Sequence, residues 1–343
     1  MYNKDTKILI TGGAGFIGTN FVSMLLESGH NPDCISIIDN LSTGKYLKEV
    51  HDKIKFFHNM DIRSSAVIQI IDSLKPDFIF HFAGLVSIYD CDKNPQLAFD
   101  VNVIGSVNVL EGAVKAGVKR VIFSESSAVY ENSILPCLGY NEGQSDPTTV
   151  YATTKASLAL LAKSYKRTRN LNYTALRYFN VYGKLQDWER TVPPASCGFG
   201  IRLMNGLSPI VFGDGHRKRD FIHVDDVNRF HLLCMTNPDT ENQTYNLGTG
   251  KSISLYEMID GIAKILDIKD YEVEHLPEIN GEAFEIYADI SKAKSLGWEP
   301  QISFEDGHKD LILYLKSLYD AGKFPKNYMS NLDVNTIKIK DKR

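Results

Sequence analysis

Three glycines at fixed spacing between a strand and a helix constrain this chain more than any other feature. The apolar run Lys7–Thr11 (KILIT) reads as a strand and leads straight into Gly12, Gly13, Ala14, Gly15, Phe16, Ile17 and Gly18, ahead of an apolar-periodic helix over 16–28. In that context Gly12 allows a tight turn, Gly15 lets a pyrophosphate approach the backbone, and Gly18 lets helix and strand pack closely. The helix N-terminus then faces the phosphates. The next strand, Ile35–Asp39, ends in a carboxylate twenty-one residues beyond Gly18, with Asn40 following. Asp39 can accept hydrogen bonds from both hydroxyls of an adenosine ribose and repels a 2'-phosphate, which favours NAD over NADP. The bland alternative is a carboxylate that only caps the strand. Two further loops fit the same site: Asp61-Ile62 for the adenine edge, and Phe82-Ala83-Gly84 beneath the nicotinamide half.

Short β-rich runs continue to alternate with helical patterns. Strands are expected over 54–59, 78–83, 121–124 and 173–178, and helices over 66–74, 94–116 and 150–169. Such alternation predicts an α/β fold with a parallel, doubly wound Rossmann-type sheet. Beyond about Val181 the pattern loosens around Pro193, Pro194, Gly198 and Gly200, as expected of a smaller C-terminal α/β substrate domain. The expected division is 1–180 for the dinucleotide, with strand and helix returns around 221–265, then 181–325 for the substrate and a polar tail over 326–343. Capping-box spacings at Ser254–Glu257 and Ser303–Asp306 open helices over 255–266 and 304–318.

Composition serves mainly to exclude. A net charge of -4 over 343 residues offers no global basic field for nucleic acid or an anionic membrane, so an anionic ligand needs local cations. The five cysteines (34, 91, 137, 197, 234) contain no CxxC pair and suggest neither a disulfide framework nor a zinc site, so no metal is expected. No apolar run approaches the roughly eighteen residues of a membrane span. A cytoplasmic protein is the expectation.

Tyr151-Ala-Thr-Thr-Lys155 places a phenol and an ammonium on one helix face. A nearby cation favours phenolate, so Tyr151 can take a proton from a sugar hydroxyl, while Lys155 also holds the nicotinamide ribose. Taken alone the pair reads equally as an ordinary helix surface. Upstream, the strand VIFS runs into Glu125, Ser126, Ser127 and Ala128, which puts hydroxyls at a strand's carboxyl end, where open α/β sheets bind ligands. Ser126 is then placed to bond the reacting oxygen.

At this point the chain resembles the extended short-chain dehydrogenase/reductases, and within them the NAD-dependent nucleotide-sugar epimerase/dehydratase family. The likeness runs from about Lys7 to about Pro300 through TGGAGFIG, IIDN, HFAGL, Asn102-Val-Ile-Gly105, FSESSAVY, YATTK, LRYFNVYG, GDGHRKRDFIHVDDV, YNLGTG and ADISKAKSLGW. It implies a catalytic trio of Ser126, Tyr151 and Lys155, with Ser127 as the fallback serine. It adds Asn102 to the cofactor site, and Asn180 and Arg219 as contacts to the substrate diphosphate. Arg217 and Lys218 read as a solvated loop beside it. There are departures. Ile279 stands ahead of Asn280-Gly281-Glu282 where the family carries a second phosphate-binding arginine, and Ile286 stands where galactose epimerases have a tyrosine, which makes room for an N-acetylated or uronic sugar. Glu125 and Glu131 interrupt positions usually small, with no evident reason in the sequence.

Family members begin alike, with Tyr151 deprotonating a sugar hydroxyl, usually at C4, as NAD is reduced. The Asp-Glu pair of the dehydratases is replaced here by Ser127 and Ala128, which argues against elimination of water. Epimerisation is therefore the expected reaction. A nucleotide-sugar 4-dehydrogenase, a decarboxylase and a 4,6-dehydratase remain alternatives, and a silent dinucleotide sensor a remote one. The resemblance also implies a homodimer paired as a four-helix bundle through the apolar faces of 94–116 and 150–169, for example Leu158, Leu160 and Leu161. Intrachain packing on the sheet explains part of the same pattern.

Overall fold

The computed structural model describes residues 3–130, 147–190, 192–277 and 284–324. Seven strands form its main sheet: β1 Ile8–Thr11, β2 Ile35–Asp39, β3 Phe56–Asn59, β4 Phe78–His81, β5 Arg120–Ser126, β6 Tyr173–Tyr178 and β7 Gln243–Leu247. Their order is β7-β6-β5-β4-β1-β2-β3, and every pairing is parallel. Such a sheet is buried on both faces, which is why β1, β2 and β4 are buried throughout and mostly apolar, with Thr11, Asp39 and His81 at their carboxyl ends. The chain leaves β1 toward β2 on one side and later β4 on the other. This switch opens a crevice above the carboxyl ends of the strands.

Strand ends differ from the sequence reading for local reasons. β4 stops at His81 because the next two backbone N–H groups, of Phe82 and Ala83, both turn onto the carbonyl of Thr11 at 3.0 Å. β5 runs two residues further than expected, to Ser126, because β6 pairs along it as far as Tyr178. β7, drawn from far along the chain, completes the sheet at its edge.

Eight helices of the described residues matter below: α1 Phe16–Glu27, α2 Ala66–Leu74, α3 Pro95–Ala116, α4 Val150–Arg169, α5 Ala195–Met204, α6 Val224–Thr236, α7 Leu255–Ile265 and α8 Phe304–Asp320. Phe21, Val22 and Leu25 of α1 and Val227 and Phe230 of α6 bury against one sheet face, and α2, α3 and α4 cover the other. Each such side chain contributes about 1.5–3 kcal/mol by leaving water. A third core of Tyr182, Trp188 and the apolar faces of α5, α7 and α8 lies apart from the sheet. Of the two expected capping boxes, Ser254 and Glu257 form the reciprocal pair. Ser303 caps its helix through the Asp306 N–H, and Asp306 answers to the serine hydroxyl rather than to the backbone.

One expectation needs correcting. α3 is long and apolar enough by length and composition to cross a membrane. Its Val109, Leu110 and Ala113 are buried among sheet residues, so the apolarity serves the core. Within it, Asp100–Ile104 widens into a π turn.

Candidate active site

A cleft of about 890 Å³ runs along the carboxyl ends of the strands. Its floor is the turn after β1. Gly12 adopts φ +73°, and a Cβ there would lie 2.6 Å from the Ala83 nitrogen, so only glycine lets the turns after β1 and β4 touch. A Cβ on Gly18 would run into the Gly12 carbonyl oxygen. Gly15 enters α1 as its N-cap without a side chain over the first turn, leaving the helix N-terminus open to an anion. Phe16, Ile17 and Gly18 line the same wall.

Asp39 is both strand cap and cleft wall. One carboxylate oxygen accepts the Ala14 N–H at 2.9 Å, the other the Leu41 N–H at 2.8 Å, and each keeps a lone pair for a ligand. Asn40 donates to Asp61 at 3.0 Å, and Arg63 grips the same carboxylate through two nitrogens at 3.0 and 2.7 Å. The Arg63 bonds hold the Asp61 carboxyl down at about 2, so it stays an anion beside Ile62 on the cleft wall.

Two buried histidines, missed in the sequence, brace this floor. His51 accepts the Leu47 N–H on Nδ1 at 2.8 Å, which leaves Nε2 to donate to the Gly13 carbonyl at 3.2 Å. His81 lies between Thr11 Oγ1 (2.6 Å) and Ser106 Oγ (2.8 Å). Ser106 gives its own proton to the Asn102 carbonyl, so His81 Nε2 must donate to Ser106 and Nδ1 must accept from Thr11. Burial pushes His81 down to about 3, which keeps the ring neutral and this direction of bonding intact. The one available signal was the histidine inside HFAGL.

Phe82, Ala83 and Gly84 line the cleft, whereas Asn102 does not. The Asn102 amide, set in the π turn of α3, accepts the Leu85 N–H at 2.7 Å and donates to the Leu85 carbonyl and to Thr154 Oγ1, each at 2.9 Å. It therefore clamps the loop after β4 to α4 from behind the cleft-lining Gly84.

α4 carries the phenol and the ammonium. Thr149 caps it by accepting the Ala152 N–H, which puts Tyr151 in the first turn and Lys155 one turn further along the same face. Both line the cleft, with Lys155 Nζ 5.9 Å from the Tyr151 ring centroid. Nζ donates to the carbonyl and hydroxyl oxygens of Ser124, each at 3.1 Å. Burial lowers Lys155 to about 8, which leaves the ammonium the major form at neutral pH. On β5, Ser126 accepts the Ala128 N–H at 3.2 Å and faces the cleft, with Ser127 beside it.

Glu125 now has a physical account. By strand alternation its side chain leaves the face used by Ser124 and Ser126, and it meets its cross-strand neighbour Arg177, whose Nε donates to Oε2 at 2.8 Å. Arg177 also donates to the Tyr130 hydroxyl, and Tyr130 in turn donates to Asn246 at 3.1 Å. The pair is buried. Glu131, Ile279, Asn280, Gly281 and Glu282 lie outside the described residues.

On the far wall stand Asn180 and Arg219. Asn180 donates from both backbone and side chain to the Asp220 carbonyl, at 3.1 and 2.9 Å. The Asp220 carboxylate accepts the N–H groups of Thr249, Gly250 and Ala288 within 3.1 Å, so the RD of GHRKRDF is locked onto the GTG loop. Arg219 donates to the carbonyls of Lys218 and Phe284. Ile286 is buried with Val129, Tyr130 and Phe179, and it is not among the described residues that line the cleft.

Residues 8–248 match the NAD dependent epimerase/dehydratase family. A putative UDP-glucose 4-epimerase of Methanocaldococcus jannaschii is 34% identical over 317 residues, 90% of this chain and 98% of its own. The crystal structure of a UDP-glucose 4-epimerase from Thermotoga maritima with UDP-glucose superposes with a TM-score of 0.84 at 33% identity, covering 92% of this chain and 100% of that one. A UDP-N-acetylglucosamine 4-epimerase from Methanobrevibacter ruminantium M1, in complex with UDP-N-acetylmuramic acid, gives 0.82 at 31%, covering 92% and 99%.

Proposed function

Because the chain belongs to the NAD-dependent epimerase/dehydratase family, we propose that it epimerises the sugar of a nucleoside diphosphate sugar, at C4, through a transient 4-keto sugar. UDP is the nucleotide in the names of all three relatives, which supports a uridine diphosphate sugar. The observation that carries the reading is that Tyr151, Lys155 and Ser126 share one cleft with the glycine turn and with Arg219.

The site fits NAD. Gly12 and Gly15 leave bare backbone before the α1 N-terminus for a pyrophosphate, Asp39 retains acceptor capacity for a ribose, and Asp61 and Ile62 bound the adenine end. When bound, NAD supplies the reversible two-electron oxidation of the sugar carbinol carbon. Tyr151 removes the hydroxyl proton and returns it after the keto sugar has turned over in the pocket. Lys155, held in place by Ser124, stabilises the phenolate and donates to the nicotinamide ribose. Ser126 hydrogen-bonds the reacting oxygen, and Arg219 and Asn180 hold the diphosphate. Ser127 and Ala128 provide neither acid nor base for elimination, in keeping with epimerisation. On this reading the sheet and its helices hold the dinucleotide, and the core of α5, α7 and α8 closes the sugar end.

Assembly as a homodimer belongs to the same reading. Ile104 of α3 and Leu160 of α4 are 53% and 68% exposed on helices that pack side by side, which favours a four-helix bundle across a two-fold axis. Leu158 is buried inside the chain and Leu161 packs partly against the same core.

The test is conversion of UDP-glucose or another UDP-sugar to its epimer, followed by NMR, with retention of mass. Tyr151→Phe is expected to lower kcat by about 10²–10⁴ while bound NAD is kept. Absence of conversion across a panel of nucleotide sugars, with Tyr151→Phe indistinguishable from the parent, would remove the proposal.

A further inference from the structure

One cation of the cleft has no task in this scheme. Arg190 lines the cleft on the segment that follows Tyr182, and Tyr151 is among the groups acting on it electrostatically. The segment leading to it is anchored. Gln186 donates to the Val181 carbonyl at 2.9 Å, and Trp188 is buried in the third core, 4.4 Å from Phe324 between ring centroids. Arg190 Nε donates to the Val192 carbonyl at 2.8 Å, its hydrogen bond among the described residues, which orients the guanidinium and leaves its Nη groups for a ligand.

The acids around it do not neutralise it. Glu189, its neighbour in sequence, is drawn away into an ion pair with Lys45 at 2.6 Å. Asp187 acts on Arg190 only at longer range, as does Asp90, and among the described residues no carboxylate lies within ion-pair distance of it. Burial lowers the Arg190 pKa, and burial raises that of Asp187, as expected of charges desolvated without close partners. A cation held at such a cost inside a ligand cleft is accounted for when the ligand brings the counter-charge. The planar fork of a guanidinium matches a carboxylate through two parallel hydrogen bonds.

We propose that Arg190 forms a subsite for a carboxylate carried by the sugar, making the favoured substrate an acidic nucleotide sugar. The inference rests on the nucleotide-sugar reading of the cleft and names its substrate class. The carboxylate can sit at C6, as in a uronic acid, or on an ether substituent, as in muramic acid, and the two are separable by experiment.

The test uses the full chain loaded with NAD and carrying Tyr151→Phe, so that binding is read without turnover. Calorimetry compares UDP, UDP-glucose, UDP-glucuronate, UDP-N-acetylglucosamine and UDP-N-acetylmuramate. At least one acidic sugar is expected to bind more tightly than its neutral counterpart. Adding Arg190→Gln should raise its Kd about 10- to 100-fold, as for loss of a charge-assisted hydrogen bond, and change the Kd of UDP and the neutral sugars by less than about threefold. Arg190→Lys should recover part of the loss. Equal weakening of UDP, neutral and acidic sugars overturns the assignment and moves Arg190 to the diphosphate, and so does the lack of any acidic preference in the parent. Epimerisation of neutral sugars without an acidic preference would spare the general reading while removing this one. An acidic preference that depends on Arg190, in a protein that epimerises nothing, would do the reverse.

Discussion

Lys155 Nζ donates to both the carbonyl and the hydroxyl oxygen of Ser124, each at 3.1 Å, so the ammonium is aimed by β5 rather than by its own helix. Burial places its pKa at about 8, well below the ordinary 10.5. The ammonium is therefore lost as pH rises through about 8, and kcat/KM should fall along an alkaline limb there, measured from pH 6 to 10. Lys155→Met should abolish the limb along with most of the activity. Stability moves the other way: between about 8 and 10.5 the unfolded chain binds the extra proton, so this residue makes the fold more stable as pH rises. The urea midpoint of the parent should rise relative to that of Lys155→Met over that window, and a constant difference would show that the lysine does not titrate there.

The ion pair of Glu125 with Arg177 is fully enclosed, with side chains 0% and 6% exposed. Glu125→Gln leaves a buried guanidinium without its counter-charge and should cost about 3–5 kcal/mol. For a chain of 343 residues that lowers Tm by about 4–7 °C. Arg177→Met added to it should cost less than the sum of the single changes, because both lose the same interaction. Strict additivity in thermal melts would mean that the pair is not a unit.

Gly12 and Gly29 share nearly the same backbone, φ +73° and +78°, yet only Gly12 is crowded by the Ala83 nitrogen, while a Cβ on Gly29 meets nothing within 4 Å. Gly29→Ala should cost about 1–2 kcal/mol of strain and leave bound NAD intact. Gly12→Ala should strip the dinucleotide as well, because the turn after β1 has to separate from Ala83. Cofactor content by absorbance after denaturation distinguishes them, and equal NAD retention would contradict the cradle described here.

Leu160 is 68% exposed on the outer face of α4. If that face pairs two copies, Leu160→Glu should yield a monomer in light scattering with secondary structure unchanged. An unaltered mass would place the interface elsewhere or show that the chain is a monomer from the start.

Periodicity and glycine spacing made much of this molecule readable in one dimension. A parallel strand buried on both faces is mostly apolar, a tight turn beneath a pyrophosphate must be glycine, and i,i+4 spacing must put Tyr151 and Lys155 on one face, because each of these is a demand of local geometry. What the tertiary structure decided were relations across long separations. Glu125 finds Arg177 only because β5 and β6 are neighbours in register, Asn102 becomes a clamp only because α3 passes behind the loop after β4, and Ile286 joins a core that no local pattern outlines. Arg190 likewise looks like one more loop charge until folding sets it in the same cleft wall as Tyr151 and directs Glu189 to Lys45. Buried charge and its partners depend on which elements pack together, and that is a property of the assembled chain rather than of any stretch of it.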